Sequence, residues 1–214
     1  MGKSVEMTTL DYQIAAGTDD VMFLSNGEFI DDDVVGWGYL EEDDIQICCA
    51  LRFPSVVIPD DATITSAYIR LCAGVDDFPA VGDIYAEDSA NPAAIVSATD
   101  GYSRTLTSSS IQITGSADSG AYNSDSIIDI LSELMLNCSY SVAAPIQLLI
   151  FGRVIESGTE VSTINSYETY EEPYSLPAIL HIEYTEAAGG DPEGSLIGGK
   201  LVRGGLLLHG VLGR

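Results

Sequence analysis

The sequence predicts an all-β fold: a jelly-roll-like β-sandwich with one short helix, followed by an extended C-terminal arm. Three features predict it. Short runs rich in β-branched and aromatic residues recur along most of the chain, clusters of turn-forming residues separate them, and only one stretch carries a helical period. At 214 residues the chain is long enough for one sizeable domain with its own core.

Strands are expected at 9–15, 20–24, 34–40, 44–53, 63–73, 81–87, 104–114, 146–152 and 178–185, broken by GTDD, SNGE, DDFP, SADSG and EEPYSLP. Within 63–73, Ala67, Ile69, Leu71 and Ala73 alternate with Tyr68, Arg70 and Cys72, so one face packs and the other is partly wet. The helix is NSDSIIDILSELMLN. Asn123 or Ser124 can cap it, Asp125 and Asp129 favour its positive end, and Ile127, Ile130, Leu131 and Leu134 recur at helical spacing. It is expected to lie across one end of the sandwich. In the closing strand, AILHIEY, Leu180, Ile182 and Tyr184 point inward and His181 and Glu183 outward. The organisation is thus a segment at 1–8, a sandwich at 9–185, a glycine-rich linker at 186–195 and an arm at 196–214.

Charge divides the chain in the same way. The net charge is −25, and all 33 acids lie at or before Glu193, whereas Lys200, Arg203 and Arg214 lie after it. Residues 1–193 hold five basic residues against 33 acids, a net of −28, which leaves +3 for the rest. Such a body repels nucleic acid and anionic headgroups, so neither nucleic acid nor membrane is an expected partner. MGKSVEMTTLDYQ contains no apolar run of the kind a secretory signal needs, and no stretch reaches the roughly 20 apolar residues of a membrane span. Synthesis in a cytoplasm, without a signal peptide, is the expectation. Cys48, Cys49, Cys72 and Cys138 lack metal-ligand spacing and read as buried thiols.

The arm reads GGKLVR, GGLLLH, GVLGR, a degenerate repeat in which a glycine step precedes apolar residues and a basic or histidine side chain. Seven glycines in 194–214 disfavour a helix, since each costs about 1 kcal/mol relative to alanine. An extended form exposes a strip of Leu196, Ile197, Leu201, Val202, Leu206, Leu207, Leu208, Val211 and Leu212, with Lys200, Arg203 and Arg214 beside it. A strip of this kind calls for a cover, so these twelve residues are the predicted partner-binding set.

No catalytic constellation is legible, and no enzyme is expected. His181 alternates with apolar residues, His209 sits in the arm, and no nucleophile-elbow motif occurs. No cofactor is predicted. Acidic clusters at 31–33, 41–44, 60–61 and 76–77 read as solvated turns; for calcium, the places to look are Asp76 with Asp77 and Asp19 with Asp20. Arg52, Arg70, Arg104 and Arg153 read as structural charges held by carboxylates, with Arg52 and Arg153 the first places to look for a glycan contact.

DYQIAAGTDDVMFL, CALRFPSVVIPDDATITSAYIRL, IYAEDSANPAAI, SRTLTSSSIQI, SIIDILSELM and PAILHIEY together resemble the β-sandwich modules often called DNRLRE-like, found in bacterial surface proteins and bacteriophage structural proteins. LRF followed by IPDDATITSAYI is the most specific segment, and the resemblance covers about residues 9–185. In that family aromatic residues, often tryptophan, sit before the helix; here that segment is SSSIQITGSADSGAY and the single tryptophan is Trp37. The resemblance implies a sandwich. With the arm and the absent signal, it implies a virion decoration or accessory subunit of head, neck or tail. Its partners would be other virion proteins bound through the arm, in a homo-oligomer or symmetric array. Some relatives bind polysaccharide, which implies the alternative of a carbohydrate-binding module.

Overall fold

The structure, a computed structural model, describes residues 6–31, 34–73, 80–116, 120–137, 140, 142–153, 159–165 and 177–186, and the backbone of 196–197 and 200–201. Its strands are β1 (Met7–Gln13), β2 (Asp20–Leu24), β3 (Phe29–Ile30), β4 (Val34–Leu40), β5 (Ile45–Phe53), β6 (Ala62–Ala73), β7 (Val81–Ala86), β8 (Ile111–Thr114), β9 (Gly120–Asn123), β10 (Ile146–Gly152), β11 (Glu160–Asn165) and β12 (Ile179–Glu186). Among the described residues two α-helices accompany them, α1 (Ala98–Tyr102) and α2 (Ile128–Asn137). All pairings are antiparallel, and the path runs β1-β12-β6-β11-β4-β5-β10-β7-β8, with β2 joining β3 to β5 and β9 flanking β6. The all-β expectation holds.

The path folds on itself at β4. Residues 34–39 pair with β11, while 38–40 also pair with β5 across a 3-10 turn of acids, Glu41–Asp43, closed by Asp44 in the left-handed region. The inner faces of β5, β7 and β10 (Cys49, Leu51, Ile84, Leu148, Ile150) then meet those of β6 and β12 (Ile69, Leu71, Leu180, Ile182) in one core. Trp37 is fully buried there and donates its indole N–H to the Ala80 carbonyl at 3.3 Å. Close approach sets the glycines around it: a Cβ on Gly82 would lie 2.7 Å from the Trp37 ring, and one on Gly152 would collide with the backbone of Gly38.

β5 and β10 are buried on their second face too. Val21, Phe23, Cys48, Ala50 and Leu149 form a separate apolar cluster covered by Ile95 and Ala98, from the segment that contains α1. This explains why IQICCALRF and IQLLIFG are nearly continuous apolar runs, whereas a sheet with one wet face alternates. β12 does alternate: Leu180, Ile182 and Tyr184 are buried, and His181 and Glu183 are half-buried on the outer face.

Several expectations need correction. The helix starts at Ile128, because Asn123 belongs to β9 and pairs with Arg70, while Ser124 accepts the Ile69 N–H and donates to the Asp125 carbonyl. Tertiary pairing takes both intended caps, and Ser126 Oγ accepts the Ile128 N–H at 3.4 Å instead. Ile127, Ile130, Leu131 and Leu134 are buried, and α2 packs on β6 and β7. The strand expected at 104–114 is confined to β8, preceded by a single bridge from Leu106 to Glu87. β3, β9, β11 and α1 were not expected: the three strands are short or polar, and α1 is too short to show a period. In the arm, the backbone of β13 (Leu196–Ile197) pairs antiparallel with that of β14 (Lys200–Leu201).

Candidate functional site

Strand parity builds a cleft on the second face of the β5-β10-β7 layer. Phe151 and Arg153 lie two residues apart at the end of β10, Asp83 and Tyr85 two apart on β7, and Phe151 pairs with Asp83. These four therefore face one way. With Gln46, Leu106 and Gly152 they line a cleft of about 310 Å³.

The Arg153 guanidinium forks onto Asp83, with Nε donating to Oδ2 at 2.7 Å and Nη2 to Oδ1 at 2.6 Å, and its Nη1 donates to Gln112 Oε1 at 2.9 Å. The Asp83 hydrogen bonds and charge push the Arg153 pKa up, so the fork stays charged. Gln46 Nε2 donates to the Gly152 carbonyl at 2.6 Å, which fixes the opposite wall. Tyr85 and Phe151 meet edge to face, with ring centroids 6.0 Å apart. The cleft thus joins two aromatic rings to a neutralised ion pair and one carboxamide, that of Gln46, within a strongly acidic body. Its chemistry suits an uncharged ligand that offers a flat apolar face and many hydroxyls.

Beside the cleft, on the same face, lies a buried polar network. Arg104 Nη1 donates to both oxygens of Glu87 at 3.0 and 3.2 Å, and Nη2 donates to Asp100 Oδ2 at 2.7 Å and to the Ala94 carbonyl. Gln147 Nε2, on β10, donates to Glu87 Oε2 at 2.7 Å. Burial raises the Glu87 pKa against the pull of Arg104, whereas the Arg104 hydrogen bond lowers that of Asp100. The network ties the segment around α1 to the sheet, and the Ser97 side chain, accepting the Asp100 N–H at 3.2 Å, caps α1. Nearby, Glu133 of α2 accepts the Ser108 and Ser109 N–H groups, both at 2.7 Å, and the Ser109 side-chain hydrogen bond, with these backbone bonds, holds its carboxyl down at about 2.

The side chains of the predicted partner-binding arm, and Asp76, Asp77 and Cys138, lie outside the described residues. Asp19 is taken by Arg52, at 2.6 Å, and Arg52 Nε also donates to the Pro92 carbonyl. Among the described residues no group of three or more potential ligands converges as a metal site. Of the four arginines read as held by carboxylates, Arg52, Arg104 and Arg153 each hold one, whereas no carboxylate among the described residues pairs with Arg70. Cys48, Cys49 and Cys72 are buried; burial pushes the Cys48 thiol up to about 12 and Cys49 well above its ordinary value. His181 stacks on Tyr68 at 4.4 Å and meets Asp11 Oδ1 at 2.7 Å, forming a row across the outer face of β1, β12 and β6.

Of the cleft, sequence reading singled out Arg153 alone. Asp83 with Tyr85 and Phe151 with Arg153 show the same i, i+2 spacing, but only the β7–β10 register brings the pairs together. Fold and cleft define the class: an all-β sandwich with an outward-facing polar and aromatic cleft. No family model matches the sequence, and no curated protein matches it.

Proposed function

We propose that this chain is a structural subunit of a bacteriophage particle, a decoration or accessory protein of head, neck or tail. The sandwich faces outward, and the arm at 196–214 is held by another virion protein. The observation that carries this reading is the partition of the chain. All 33 acids precede residue 194, and an arm of leucine, valine, glycine and three basic residues follows. The acidic body stays soluble and apart from nucleic acid, while the arm supplies apolar area and charge of the opposite sign to a receptor. The likeness to DNRLRE-like modules supports the same reading, and many copies in symmetric array would add avidity to a modest contact. The test is co-sedimentation with purified particles lacking the native copy. The full chain is expected to pellet, and a chain truncated after Gly190 is expected to stay folded in the supernatant. Pelleting of both, or of neither, counts against the arm as anchor.

The Arg153 cleft favours a second reading, a carbohydrate-binding module for a cell-surface polysaccharide. Retention on a polysaccharide gel should then be lost in Arg153→Ala and Tyr85→Ala. Arg52, occupied by Asp19 and the Pro92 carbonyl, lies outside the cleft lining.

A further inference from the structure

The main core is open at one end. Leu10, Tyr12, Ala62, Ile64 and Met135 pack against it but are only half-buried. Between the start of β6 and the last turn of α2 lies a groove of about 300 Å³, with Ala62 and Ile64 on one wall, Met135 and Leu136 on the other, and Asp60 at the rim. Leu136 is 83% exposed, the most exposed large apolar side chain among the described residues. Thr63 and Ser132 complete the lining, so the opening is mixed, but the apolar side chains it leaves partly exposed at the end of a core invite a cover.

Two observations select the occupant. β12 ends at Glu186 paired with Ala62, so the chain leaves the sheet at the wall of this groove. The stretch 187–195 that follows spans at most about 30 Å when extended, which keeps the apolar residues that begin at Leu196 within reach. Charge agrees: Asp60 lines the groove and Glu186 stands at the exit, and the arm carries Lys200 and Arg203 without a single acid. We infer that the arm of the same chain docks in this groove, with a leucine side chain between Met135 or Leu136 and Ala62 or Ile64, and a basic residue toward Asp60.

Docking of this kind is a latch. Tethering supplies an effective concentration in the millimolar range, enough to hold a contact of one or two leucines that a larger receptor surface can displace. The free protein thereby keeps its apolar strip covered until assembly. The inference rests on the virion reading only in naming what displaces the arm.

Trypsin reads the latch directly, because Lys200 and Arg203 are its targets in the arm, whereas Arg52 and Arg70 lie within strands. In the full-length protein, Leu136→Asn should speed cleavage after Lys200 and Arg203 about tenfold, as loss of one buried leucine contact predicts. Asp60→Asn should speed it a few-fold, and Val96→Asn, at a site 75% exposed in the layer around α1, should leave it unchanged. The wild-type rate should not vary with protein concentration. Equal rates in wild type and Leu136→Asn, or an equal rise in Val96→Asn, would overturn the inference, and cleavage that slows with concentration would assign the groove to a second copy's arm. Particle binding does not enter this readout, so a protected arm that never pellets with particles would sink the virion reading and leave the latch standing.

Discussion

The β5–β10 pair and the β12–β6 pair are both antiparallel and central, yet they are built from different patterns. β5 and β10 are apolar on both faces, because the second face lies under α1 and its flanking segment. β12 and β6 alternate, and their outer face carries His181, Tyr68 and Glu183 in contact with solvent. A continuous apolar strand therefore announces a second cover, although it does not say which residues supply it. Here the cover is fastened both by charge, through Arg104, Glu87, Asp100 and Gln147, and by the apolar packing of Ile95 and Ala98.

The comparison can be broken from either side. Trp37→Ala should do most, costing about 3–5 kcal/mol in denaturant unfolding, because it empties the core shared by both pairs. Arg104→Met should cost about 3 kcal/mol, the lower end for a broken buried pair, since the Arg104 side chain is 14% exposed. If the cover were held by apolar packing alone, that loss would shrink below about 1 kcal/mol.

Gly101→Ala acts on the cover alone. Its Cβ would lie 2.8 Å from the Phe23 ring, so a loss of about 2 kcal/mol is expected, with faster amide exchange confined to 95–104 and none in β12. Exchange rising equally in both pairs would show that the two layers open as one unit. The smallest effect concerns pH. Glu133 titrates at about 2 in the folded chain against an ordinary 4.5, so its contribution is complete above about 4.5 and is lost as pH falls toward about 2. Glu133→Gln should flatten the dependence of Tm on pH in that window. Glu87, with its pKa raised by burial, works in the opposite sense: its contribution is present below its ordinary range and fades as pH rises through the folded value.

Legibility followed periodicity. Leu180, Ile182 and Tyr184, and Ile127, Ile130, Leu131 and Leu134, were placed correctly because alternation and helical spacing are local signals. EVSTIN, which became β11, was missed because it is polar and short, and it is a strand only by virtue of its pairing with β4. The segment at 88–106 carries no period, so its role as a cover could not be read. The Arg153 cleft was one-quarter visible: the arginine stood out as one of four in the body, but Asp83, Tyr85 and Phe151 are ordinary members of ordinary strands.

By itself the sequence determined the fold class, the inward faces of β6 and β12 and the separation of an acidic body from an apolar, basic arm. Each of these is written in residue type and near-neighbour spacing. Only the tertiary structure decided where α2 begins, which segment covers the second face of β5 and β10, that Arg153 meets Asp83 beside two aromatic rings, and that the chain leaves the sheet at an open groove. Those outcomes depend on strand register and on contacts between residues dozens of positions apart, and register is settled by the fit of whole faces, which local pattern cannot encode.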